Sequence, residues 1–522
     1  MRLALAGNRG PRMREKPATI GRETILPVPT EGWDTDTPVA ELPPTRAIVL
    51  ENWIPKGIQL EMRRGSADHV TGLTNPVETL MPYNSGSASK LFAACDTAIY
   101  DVTNAGAVGA ASDSGFTSAR FSWVNFTPGG GTAYLWLCNG VDNPRHYNGS
   151  AWATPALTIT TYTDNDISYV FESKQRLFFI FKNTLTFGYL PVESVAGTVS
   201  NYPLGSVFSR GGRLVAGGTF SHDSGDGPDD YTCFLTSEGE VAVFQGTNPA
   251  SSADWAKVGT YYCGEPVGDR PVFRLDGDLA ILTVNGVLLA SNTFNSDAPI
   301  DPTRYLSARI GTAFRQATGT NAGNGWEGLY YPAGDLMLIN QPINATRSQQ
   351  FIRHRLTGGW GRFTDWNAGS FAVFNKKLYF GSLAGTIYLA DTGNNDDGAN
   401  VRADYQTAWS VLGLPGQIKT LLEARPIATS RTGASVAIAA RTDYRNTPSV
   451  PSPPQTTLTG ALIWGTGLWG TGLWGGENAG TRAWRAISGE GQTVSLLVRA
   501  NSNNSPFSMN GIGLRFSKDG QI

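Results

Sequence analysis

One pattern constrains this chain more than any other: an apolar strand, a turn of Gly, Asn or Asp, a second apolar strand, then a polar break. It appears as LFAACDTAIYDVTNAG from Leu91, YLWLCNGVDNPRHYNG from Tyr134 and LFFIFKNTLTFGYLPVESVAG from Leu177. It returns as CFLTSEGEVAVFQGTNP from Cys233, LAILTVNGVLLASNTF from Leu279, LMLINQPINATRSQQFIRHRLTGGW from Leu336 and LYFGSLAGTIYLADTG from Leu378. The start-to-start intervals are 43, 43, 56, 46, 57 and 42 residues. Units of about 40–50 residues holding several short strands are what propeller blades look like in sequence. Cys95 and Cys138 fall at the same fifth position of their repeats, as equivalent inward sites would. Glu238-Gly239 and Asn285-Gly286 supply the positive φ of tight hairpins, which Gly reaches at little cost. The expectation is an all-β chain with a six- or seven-bladed β-propeller over residues 76–400.

Composition agrees. With 62 Gly in 522 residues and 16% charged residues, the chain lacks the Ala, Glu, Lys and Leu that helical bundles and ordinary α/β enzymes use. Its 40% hydrophobic share is enough for a large core, which excludes global disorder. The net charge of −2 leaves no basic footprint for general nucleic-acid binding.

Two regions lie outside the repeat. Residues 1–20 form a basic arm (Arg2, Arg9, Arg12, Arg14, Lys16), and residues 21–75 read as extended strands that join a second domain. Residues 401–522 read as that C-terminal β domain, interrupted by a Pro-rich linker at 447–459 and a Trp/Gly repeat at 464–476. The second domain is thus platform-like and built from both ends of the chain. The first apolar stretch is only four residues long, and no later run approaches the ~18 needed to cross a membrane. The reading is a soluble chain made in a reducing cytosol, without a signal sequence or membrane insertion.

No phosphate-binding loop, H-E-x-x-H or G-x-S-x-G motif is present, so no catalytic residue, metal ligand or cofactor is assigned. The four cysteines, Cys95, Cys138, Cys233 and Cys263, include no C-x-x-C pair and read as buried thiols. His69, His146, His222 and His354 are isolated and read as surface or packed residues. The acidic loop HDSGDGPDDY, with Asp223, Asp226, Asp229 and Asp230, is either a calcium loop or a turn whose Asp side chains cap their own backbone. ASDSGFTS at 111–118 resembles the S-x-D-x-G-x-T-W turn of propeller sialidases at Asp113, Gly115 and Thr117, with Ala111 and Ser118 departing from it. Trp464, Trp469 and Trp474, five apart, are candidate interface anchors or local packing. Arg9, Arg12 and Arg14 are a candidate contact to an acidic partner or to phosphates, or a solubilising terminus.

Longer segments carry a resemblance. They are GGTFSHDSGDGPDDYTCFLTSEGEVAVFQGTNPASSADWAKVGTYYCGEPVGDR (Gly217–Arg270), VLENWIPKGIQLEMRRGSADHVTGL, LFAACDTAIYDVT and TGGWGRFTDWNA. From about Leu50 to Trp366 the chain resembles the tail hub or nozzle proteins of short-tailed bacteriophages, also described as packaged-DNA stabilisation proteins. The WGTGL repeat departs from that family. The resemblance implies a structural virion component, not an enzyme, assembled in the host cytoplasm. Six copies would form a homo-hexameric ring below the portal and its head-to-tail adaptor. The ring would extend the channel for double-stranded DNA without sequence-specific binding, retain packaged DNA and anchor tail fibres or spikes. Two alternatives stand beside it: a propeller glycoside hydrolase using Asp226, Asp230 or Glu238, and a carbohydrate-binding, receptor-recognition protein.

Overall fold

The computed structural model describes residues 21–86, 88–223, 228–293, 301–430, 435–447, 449, 479–481, 484–502 and 505–521. It is built almost wholly of strands, arranged as a β-propeller joined to large sheets made from both ends of the chain. Each repeat segment starts on the second strand of a hairpin unit. Lys90–Cys95, Tyr134–Cys138, Arg176–Phe181, Pro228–Thr236 and Asp278–Thr283 are such strands. Leu336–Asn344 and Lys377–Ser382 are the last two of the series. Second strands are flanked in their sheet and covered on both faces, so they read as unbroken apolar runs. Cys95 and Cys138 each end such a strand and are both buried.

Five units stand as separate sheets, of four, four, five, four and three strands. Their first strands are Val77–Tyr83, Ser122–Phe126, Ile167–Ser173, Leu214–Asp223 and Val272–Leu275. The expectation of six or seven blades is therefore corrected. The two remaining hairpin units, which begin at Glu327 and Ala368, do not stand alone. Strands Gly32–Trp33, Arg46–Glu51 and Ala399–Thr407 hydrogen-bond between them and fuse both into one sheet of 15 strands. Its end strands, Glu327–Tyr331 and Ala368–Phe374, come back beside each other, so the sheet is nearly closed. The unit beginning at Ala368 takes its outer strand from early in the chain: Ser66–Thr71 pairs antiparallel with Ile387–Ala390. The chain so enters the propeller ahead of residue 76.

The turns predicted from sequence are present. Gly239 has φ +78°, and a Cβ there would lie 2.4 Å from the Gly264 carbonyl carbon, so only glycine fits this hairpin. The longest repeat interval contains an insertion that carries the helix Gly311–Thr320, whose first turn is capped by a remote carboxylate, Asp36 (Oδ1 to Thr312 N, 2.6 Å).

A second sheet of eight strands weaves the two ends together. Arg22–Pro27 runs against Phe507–Gln521, which pairs along its other edge with Gln417–Ser430 and, near its start, with Gln59–Met62. One hydrophobic core joins this sheet to the 15-stranded one and to the helix: Trp53, Leu60, Leu421 and Leu514 meet Tyr405, Val498, Phe314 and Trp326. Trp53 packs edge-on to Tyr405, ring centres 5.7 Å apart. Propeller and second domain share apolar surface and so form one body.

A buried polar knot fastens the N-terminal strands in place. Arg63, 1% exposed at its side chain, forks onto both oxygens of Asp396 (2.9 and 2.6 Å). Its Nε donates to Asn52 Oδ1 at 2.9 Å, and its face lies 4.8 Å from the Trp366 ring. Asn52, fully buried at φ +58°, donates in turn to Thr364 Oγ1 and to the Arg402 carbonyl.

Candidate functional site: the axial cavity

The first strands of the hairpin units surround a cavity of about 510 Å³, whose walls include Trp123, Tyr169, Phe171, Phe273, Arg274 and Glu327. Glycines let these inner strands close up. A Cβ on Gly328 would sit 2.1 Å from the Phe273 ring, and one on Gly217 would sit 2.5 Å from Phe171. The wall is mixed aromatic and polar.

Charged groups cross the axis at this cavity. Arg270 Nη1 pairs with Glu327 Oε2 at 3.3 Å and donates to the Glu78 carbonyl at 3.1 Å, while Nη2 donates to Thr79 Oγ1 at 2.5 Å. Thr79 lies on the first separate sheet and Arg270 just ahead of the fifth, so this arginine spans the ring. Arg120, ahead of the second sheet, pairs with Asp269 at 3.4 Å in the same way. Thr79 Oγ1 also donates to the Ala119 carbonyl at 2.6 Å. Burial pushes the Glu327 carboxyl up, and the nearby Arg270 and Arg120 charges recover only part of that. Asp269 Oδ1 and Arg270 Nε are sealed from solvent without a partner. Two guanidinium groups facing two carboxylates form a clasp across the propeller, and Glu327 is the member whose carboxyl burial raises beside a cavity. None of these four residues stands out in sequence, because Arg120 and Glu327 are brought together only by ring closure.

The residues singled out from sequence are elsewhere. Asp226 lies outside the described residues, as do Arg9, Arg12, Arg14, Trp464, Trp469 and Trp474. Asp223 and Asp229 sit at the end of a hairpin, where His222 opposes Asp229 and Asp223 opposes Pro228. Asp230 accepts from Ser221 Oγ at 2.6 Å and from Lys174 Nζ at 3.0 Å, and these bonds hold its carboxyl below the usual range. Asp230 lies near the start of strand Pro228–Thr236, and Glu238 lies in the turn beyond its end. Glycosidase carboxylates stand within about 10 Å of each other, and nothing in this placement pairs the two. Among the described residues no group of three His, Cys, Asp or Glu is placed to hold a metal ion.

Asp113 accepts from Arg145 Nε at 3.0 Å beside Gly115 (φ +93°), a structural turn. The four cysteines are buried and free, and burial pushes the Cys233 thiol up to about 12. His69 Nε2 meets the Val102 carbonyl at 2.9 Å, and His354 meets Thr357 Oγ1 at 3.0 Å. Among the described residues no helix is long and apolar enough to cross a membrane.

No family model matches the chain, and no curated protein matches it. Solved structures do match, at 10% identity. One is BBS1N in complex with ARL6DN, covering 63% of this chain and 98% of that one at a TM-score of 0.39. A second is YCF48 bound to D1 peptide, covering 67% and 99% at a TM-score of 0.36. Raptor from Chaetomium thermophilum matches over 63% of this chain and 29% of its own, at a TM-score of 0.37.

Proposed function

We propose that this chain is a structural virion protein: the nozzle or hub of a short bacteriophage tail, six copies forming a ring below the portal and its adaptor. The observation that carries this reading is the hydrophobic cluster shared by the fifth propeller sheet, the unit beginning at Glu327 and the second domain. A stiff two-part body suits a role in bearing load and docking neighbours, and the sequence resemblance points to the same role. The axial cavity, about 510 Å³ and crossed by Arg270, is too small for a duplex whose major groove alone is about 12 Å wide. In this reading the DNA conduit lies between copies, on the ring axis. A net charge of −2 suits a wall that DNA passes without the counterion-release binding of a basic surface. Fibres or spikes would dock on the outside of the ring.

Electron microscopy of the purified chain, alone and mixed with portal–adaptor complexes, tests the proposal. Closed six-copy rings seated under the adaptor are expected, and a chain that stays monomeric and does not associate overturns it. Glu327, raised by burial at a cavity, favours a second reading, a polysaccharide-cleaving enzyme. Turnover of host surface polysaccharide that disappears in Glu327→Gln while the fold persists would establish it.

A further inference from the structure

After strand Gly286–Leu289 the fifth sheet has no fourth strand among the described residues. The chain instead makes the short turn Ala290–Thr293 and, beyond residues 294–300, the turns Pro302–Arg304 and Ala308–Ile310. The sheet edge is covered by this return: Leu306 N donates to the Val287 carbonyl at 2.8 Å, and Val287 N donates to Ser307 Oγ at 3.0 Å. Between the return and strand Arg347–His354 the structure leaves a recess of about 470 Å³, lined by Asn292, Thr303, Arg304, Tyr305, Leu306 and Arg353.

The chemistry of this recess is unbalanced. Arg353 is half-buried, its Nε is sealed from solvent without an acceptor, and among the described residues its guanidinium meets no carboxylate. Burial and the neighbouring Arg309 both act against its charge, with only Asp276 opposing them. An arginine stays protonated regardless. Among the described residues the carboxylates around it are committed elsewhere. Asp276 is held by Arg355 Nε at 2.7 Å, and Glu31 by Arg46 at 3.0 Å and Thr45 at 2.7 Å, with Arg309 at 3.9 Å. Asp278 accepts from Ser291 Oγ at 2.5 Å and from the Leu279 amide, and Asp301 caps Thr303 N at 2.9 Å. Arg304, also half-buried, adds a second cation to the wall. Asn292 and the Thr303 hydroxyl add neutral donors.

We propose that this recess is a binding site for a small phosphate-class oxyanion, held between the Arg353 and Arg304 guanidinium groups. The planar fork of arginine matches tetrahedral oxyanions, and charge-assisted bonds of this kind are the strong ones. The recessed position of Arg353 favours a free ion over the backbone of a duplex. The site lies within one copy of the chain and does not depend on ring assembly.

Calorimetric titration and thermal shift of the full chain with inorganic phosphate and pyrophosphate test the assignment, with acetate and a short DNA duplex as parallel arms. Saturable phosphate or pyrophosphate binding is expected, with a rise in Tm, and Arg353→Gln should weaken it at least about tenfold. Arg304→Gln, at the rim of the recess, provides the same readout should Arg353→Gln fail to fold. Absence of saturable binding, or binding unchanged in both variants, overturns the proposal. Acetate binding as tightly as phosphate overturns the phosphate class in favour of a carboxylate ligand. A duplex that binds through Arg353 where free phosphate does not overturns the free-ion assignment.

Discussion

At the scale of single residues, stability is concentrated where a charge is buried with its partner. Arg63 and Asp396 are separated by 333 positions, and nothing local in either stretch marks them as a pair. Only the closing of the fold reveals them. Removing one member of a buried pair leaves the other uncompensated, so Arg63→Leu should cost about 3–5 kcal/mol in urea unfolding at pH 7. The pH dependence follows from Asp396. Burial alone would raise its carboxyl, but the hydrogen bonds and charge of Arg63 outweigh burial and leave it lowered. A lowered carboxyl contributes stability above its unfolded value of about 3.9 and loses it as pH falls through the folded one. The gap between wild type and Arg63→Leu should therefore shrink below about pH 4. A gap constant from pH 7 to 3 would contradict this. Tyr405 gives the opposite case. Its hydroxyl is buried with no partner, and burial pushes its pKa far up. Tyr405→Phe removes an unsatisfied group at almost no cost in shape, so Tm should hold or rise.

Among the elements, the most legible strand was the second of each unit. Its apolar run is continuous because sheet neighbours and adjacent units cover it on every side, as in Leu177–Phe181. First strands, such as Ser122–Phe126, carry mixed residues because one face lines the axial cavity, so sequence gives them little signal. The repeat visible in sequence therefore begins on the second strand of each unit. The blade count failed for a related reason: the short strands at Gly32 and Arg46 are too brief and too far from residue 327 to announce that they bridge two units. The clasp of Arg120, Asp269, Arg270 and Glu327 is not legible in sequence, since its members belong to different units. The closing strand offers a sharp test. Val70 is 1% exposed within Ser66–Thr71 and opposite Ile387. Val70→Pro puts a ring at a buried position of a strand paired in the sheet and should destabilise by at least about 2 kcal/mol. Hydrogen exchange should then quicken first in Ile387–Ala390.

Taken as a whole, the molecule is held by a cluster that joins the second domain to the fifth sheet, with further clusters between the other propeller units. Its calorimetric unfolding should follow a single transition spanning propeller and second domain. Two separated transitions would show that the parts melt independently. A fragment of residues 401–522 should not fold alone, because strands Arg22–Pro27, Arg46–Glu51 and Gln59–Met62 supply hydrogen-bonding partners to its strands. Adding residues 21–65 as a separate peptide should restore structure, readable by circular dichroism.

The pairing of first-made strands with last-made ones also governs how this protein is born. Arg22–Pro27 leaves the ribosome hundreds of residues ahead of its partner Phe507–Gln521. At about 5–20 residues per second, those early edges wait roughly half a minute to two minutes for their mates. Throughout that interval the nascent chain carries unpaired strand edges, the kind of surface on which chaperones act.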